Sequence, residues 1–103
     1  MDHKKSLNSE ELNQKLQFLK KQRDGLIIGD YRNILSNLYS TITSIINTNE
    51  NIYCSVDMIY EKYYAKNNHE KNIIIDYCLD LEQLGYICID NYGKVFILKK
   101  LDF

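Results

Sequence analysis

Three groups of side chains in this chain have types and spacing suited to acting on another molecule. The first is Lys15, Lys20, Lys21 and Arg23, the second is Asn68, Lys71 and Asn72, and the third is Asn91, Tyr92 and Lys94 with Lys99 and Lys100 just after. Lysine and arginine neutralise phosphates, asparagine hydrogen-bonds a base edge, and tyrosine packs its ring on a sugar. Covalent chemistry has far less to work with. The two histidines, His3 and His69, are isolated and give no convincing Ser/His/Asp or Cys/His set, and no glycine loop is built to cradle a phosphate. Cys54, Cys78 and Cys88 form no CxxC pair and sit in apolar segments, so they are expected to be buried free thiols. No metal site and no cofactor is expected, and the chain is not expected to be an enzyme.

The elements that would position these groups follow from periodicity. Asn8 with Glu11 fits a capping box, and Leu12, Leu16 and Leu19 then recur at helical spacing until Gly25. Leu26 to Gly29 reads as a short apolar connector. Asp30 is the expected cap of a second helix, whose stripe of Tyr31, Ile34, Leu35, Leu38, Ile42, Ile45 and Ile46 is the strongest periodic signal in the chain. An Asn-rich break follows, and Ile52-Tyr53-Cys54 is long enough only for a strand. Ser55 caps a third helix with Val56, Ile59, Tyr60, Tyr63 and Tyr64 on one apolar face. Asn67 and Glu70 form another possible capping box, for a fourth helix that carries Ile74, Tyr77, Cys78, Leu81 and Leu84 on one side and ends at Gly85. The period then changes. Tyr86–Ile89 and Lys94–Leu98 read as a hairpin closed by Asp90-Asn91-Tyr92-Gly93, with Gly93 able to take positive φ.

Bulk properties narrow the class. The chain has 103 residues, 45% apolar, with four glycines and no proline, which fits one mainly helical domain better than a turn-rich sandwich or barrel. No run is long enough to span a bilayer, and Met1 to Glu11 lacks an apolar signal core, so a cytoplasmic location is expected. Abundant Ile, Lys, Asn and Tyr point to an AT-rich gene. Net charge is −1, but residues 1–24 carry six basic and four acidic side chains while residues 25–103 carry seven and ten.

Residues 30–98 have the element order of a winged helix-turn-helix domain, and Leu81-Glu82-Gln83-Leu84-Gly85-Tyr86-Ile87 resembles that superfamily's junction from recognition helix to wing. The expected fold is therefore mainly α with a small β-hairpin wing: residues 1–29 as a basic N-terminal helix or arm, and 30–103 as the winged-helix domain. The resemblance implies sequence-specific binding of double-stranded DNA. Its usual mode lays the recognition helix in the major groove and the wing on the backbone or minor groove. In size, composition and element order the chain is also similar to the small relaxosome accessory proteins of low-GC conjugative plasmids, which bind the origin of transfer. That resemblance implies an accessory factor of a mobile element, working among other proteins of a nucleoprotein complex. A small transcription regulator is the other setting.

Charge modifies the usual mode. Glu70, Asp76, Asp80 and Glu82 outnumber Lys71 on the fourth helix, and Asp76, Asp80 and Gln83 are expected on its solvent face, where the carboxylates would repel phosphates. The sequence thus places DNA contact on the wing, the basic arm and the N-terminal end of that helix rather than on its middle. The alternative is a protein-binding module whose acidic fourth helix docks a basic partner. The narrow stripe of Leu12, Leu16 and Leu19 offers a seam for a homodimer, and a two-fold dimer would read repeated half-sites.

Overall fold

A computed structural model describes residues 8–23 and 25–103; His3 and the rest of the first seven residues lie outside it. The described chain is mainly helical with one small sheet. Four helices, α1 (Ser9–Lys20), α2 (Ile28–Thr48), α3 (Val56–Lys62) and α4 (Asn68–Gln83), accompany three strands, β1 (Tyr53–Ser55), β2 (Ile87–Ile89) and β3 (Lys94–Ile97). The strands are antiparallel in the order β1-β3-β2, with Cys54 opposite Val95 and Cys88 opposite Phe96.

The apolar stripes converge on one core. Leu12, Leu16 and Leu19 of α1 join Tyr31, Leu35, Leu38 and Ile42 of α2, Ile59 of α3, Cys78 and Leu81 of α4, and Ile87 and Val95 of the sheet. The three leucines expected to form a seam with a second copy are therefore spent on the chain's own core. A narrow stripe is enough for α1 because α2 lies against it. Residues 99–103 also fold back. The Tyr39 hydroxyl donates to the Lys99 carbonyl at 2.8 Å, and the Phe103 ring stands 5.8 Å from that of Tyr86.

Local chemistry sets most boundaries. Asn8 and Glu11 form the reciprocal capping box, Ser55 accepts from Met58 N–H at 3.2 Å, and Asn67 accepts from Glu70 N–H at 2.9 Å. Glu70 does not close the second box: it accepts from Lys66 N–H instead, at 2.7 Å. Asp30 caps nothing, because α2 begins two residues earlier with Ile27 as an N-cap that has no side-chain bond.

Helix ends show a shared device. After α4 the Gly85 N–H reaches Glu82 O and the Tyr86 N–H reaches Leu81 O, with Gly85 at φ 89°. The same paired bonds follow α2 and α3, with Glu50 (φ 51°) and Tyr64 (φ 56°) in the left-handed position that glycine normally takes. Tyr63 and Tyr64, expected on the core face of α3, consequently lie beyond its end, and Tyr64 is 81% exposed. Cys54 and Cys78 are buried as expected. Cys88 is exposed, because alternation along β2 turns it to the outer face of the sheet while Ile87 faces the core.

Candidate nucleic-acid interface

The β2–β3 hairpin is fixed by its own turn. Asp90 and Lys94 pair through their backbones, the Asp90 carboxylate accepts from Tyr92 N–H at 2.8 Å and Lys94 N–H at 2.9 Å, and Gly93 adopts φ 77°. A three-residue hairpin loop ending in a left-handed glycine results. Its tip is tied to α3, since Val56 N–H donates to Gly93 O at 2.9 Å. Asn91 and Tyr92 are left projecting, and Tyr92 is 86% exposed. Lys94 emerges on the outer face of the sheet, where its ammonium sits 4.8 Å from the centre of the Tyr53 ring and Tyr53 pairs with Phe96 at 5.6 Å.

On α4 the structure corrects the sequence reading. Asp80, expected in solvent, is only 2% exposed. Its carboxylate accepts from Arg23 Nη2 at 2.7 Å, Arg23 Nε at 3.0 Å and the Tyr31 hydroxyl at 2.8 Å. The guanidinium also donates to the Asp76 carbonyl at 3.1 Å, lies 3.8 Å from the Asp76 carboxylate and stacks over Tyr77. Burial lowers the Arg23 pKa, but the hydrogen bond and charge of Asp80, followed by the charge of Asp76, outweigh it and the net shift is upward. For Tyr31, burial comes first and the contact with Asp80 second, and both push its hydroxyl well above the ordinary tyrosine value.

The other acids of α4 are also occupied. Glu70 receives the Lys66 N–H, and Glu82 receives the Ile89 N–H at 2.9 Å, which covers a donor on the free edge of β2. Asp76 alone lies on the outer face, with Arg23 beside it. The rest of that face is Asn68, Asn72, Leu79 and Gln83, all exposed and all uncharged. With Asp80 buried, the row of two carboxylates expected on this face is reduced to Asp76.

The expected basic arm is mostly engaged inside the domain. Arg23 is committed to Asp80, and Lys20 donates to the Leu26 carbonyl at 3.0 Å; Lys21 is exposed. Lys71 lies over Tyr60, which places its charge on the flank of α4 toward α3. Lys99 lies over Tyr86, 3.8 Å from Asp102, while Lys100 is exposed. The structure thus brings Asn91, Tyr92 and Lys94 together on the β2–β3 hairpin and Asn68 and Asn72 together on α4.

Sequence reasoning missed the Arg23–Asp80–Tyr31 cluster. Its signal was present: Asp80 lies three residues after Tyr77 and four before Leu84, within the arc of the apolar stripe. Among the described residues no group of three His, Cys, Asp or Glu side chains is placed to hold a metal ion, and no helix is long and apolar enough to cross a membrane. Comparison of the chain with protein-family models, with curated proteins and with solved structures finds no match.

Proposed function

We propose that this chain is a winged helix-turn-helix protein that binds double-stranded DNA and is not an enzyme. The helix order α2-α3-α4, with β1 completing a three-stranded sheet beside the β2–β3 hairpin, is the arrangement that supports the fold. The observation that carries the function is a wing held rigid by Asp90 with a bare Asn-Tyr tip, beside a helix whose outer face keeps one carboxylate, Asp76, with the Arg23 guanidinium 3.8 Å from it. Phosphates meet Lys94 and Lys100 around the wing, with Asn91 and Tyr92 at its tip on the minor-groove edge. Asn68, Lys71 and Asn72 meet the duplex from α4, where the first N–H groups of the helix favour a phosphate. The basic arm contributes less than its composition suggests, because Arg23 and Lys20 already have partners.

The chain acts as a homodimer on repeated half-sites in this reading, through a surface other than the α1 leucines. An accessory role on a mobile element, or a role as a small regulator, rests on the family resemblance alone. The test is a binding titration on duplex DNA at several salt concentrations with Lys94→Ala and Lys100→Ala. Each variant should weaken binding and reduce the salt slope by about one. Unchanged affinity and slope in both would refute contact through the wing.

A further inference from the structure

Resting on the duplex-binding reading, we infer that α4 reads A·T base pairs in the major groove through the amides of Asn68 and Asn72. These two residues are one turn apart, about 6 Å along the helix axis, and both are exposed on the outer face. That spacing suits adjacent or next-adjacent pairs, which rise about 3.4 Å each along the duplex. An amide side chain offers a donor and an acceptor together, which matches the adenine N7 acceptor and N6 donor; guanine presents two acceptors and is read by donor-only cations.

No such cation stands on this face. Lys71 is held over Tyr60 on the flank, and Arg23, the guanidinium that reaches α4 from the α1 side, is locked by Asp80 and by the Asp76 carbonyl. Leu79, two turns beyond Asn72 and 42% exposed, adds an apolar surface of the kind that packs on the thymine methyl group. The face therefore holds amides for adenine and, about 10 Å further along the helix, an apolar contact for a thymine of a neighbouring pair; it lacks the usual contact for guanine, and its one carboxylate, Asp76, has the Arg23 guanidinium 3.8 Å away.

The test starts from a randomised duplex pool enriched by the full chain, followed by anisotropy titrations of the enriched site. A second version of that site replaces its A·T pairs by inosine·cytosine, which presents the major groove of G·C with the minor groove of A·T. The wild-type protein should enrich neighbouring A·T pairs and lose about tenfold in affinity on the inosine version, the scale of one bidentate contact. The double variant Asn68→Ala/Asn72→Ala should bind both versions equally while keeping the salt slope of the wild type. Equal wild-type affinity for the two versions, enrichment of G·C pairs, or a preference that survives in the double variant would overturn amide readout and leave duplex binding standing. Failure to bind any duplex at low salt would overturn the duplex-binding reading and the inference with it.

Discussion

Replacing Arg23 by alanine should be among the most damaging changes outside the apolar core. Asp80 receives three hydrogen bonds, two of them from Arg23, and its side chain is only 3% exposed. Without the guanidinium the carboxylate keeps only the Tyr31 hydroxyl and remains out of water. Breaking one side of a buried ion pair costs about 3–5 kcal/mol, against a total stability of about 5–15 kcal/mol for a domain. At about 4 °C or more per kcal/mol for a chain of this size, the melting temperature of Arg23→Ala should fall by roughly 12 °C or more. The cost is that of an uncompensated charge, so removing its partners as well should relieve it. The triple change Arg23→Met, Asp80→Leu, Tyr31→Phe should recover most of the loss, because well-packed apolar side chains often replace a buried pair at little cost. Thermal melts at neutral pH, followed by circular dichroism, read both effects. A shift of about 2 °C or less for Arg23→Ala would refute the reasoning, and a triple variant no more stable than the single one would refute the attribution to buried charge.

The remaining predictions concern the thiols and a strained turn. A maleimide probe should label Cys88 alone in the folded protein, with Cys54 and Cys78 reacting only after unfolding; mass spectrometry of digests would show otherwise if either buried thiol reacted as fast as Cys88. Burial pushes Cys54 up to about 11 and Cys78 up to about 12, the latter with help from Cys54. Keeping both thiols protonated costs almost nothing below about pH 7.5. As pH rises from there toward the folded values, the unfolded chain ionises first, so urea midpoints should fall by the equivalent of about 1.5–2 kcal/mol per thiol near pH 10. A flat midpoint over that range would contradict the assignment. Tyr64→Gly should raise the melting temperature by the equivalent of about 1 kcal/mol, since it relieves a left-handed non-glycine residue at the end of α3. No gain, or a loss, would mean that the Tyr64 ring stabilises the fold by more than the strain costs.

Much of the architecture was legible because apolar spacing is a strong signal. The stripes of α2 and α4 and the change of period at Tyr86 placed most elements within a residue or two. The caps Asn8, Ser55 and Asn67 were legible because their side chains bond locally, within three residues. The end of α4 was marked by Gly85, while the like ends of α2 and α3 carry Glu50 and Tyr64 and so gave no glycine signal; Tyr63 and Tyr64 were assigned to the wrong face as a result. Asp80 was misread for a different reason. A charged residue near the rim of a helical stripe is ordinarily solvated, and only the loop between α1 and α2 brings Arg23 across 57 positions to bury it. That pairing depends on the tertiary arrangement, and with it goes the character of the α4 face, since two acidic positions read as solvent-facing became one.

The central claim is duplex binding, and the most direct measurement is an anisotropy titration of the full chain against a labelled duplex and the matching single strand at two salt concentrations. Preference for the duplex, with affinity falling as salt rises, is the predicted result, because lysines that contact phosphates release counterions. Equal weak binding to both strand forms, or none at low salt, would contradict it.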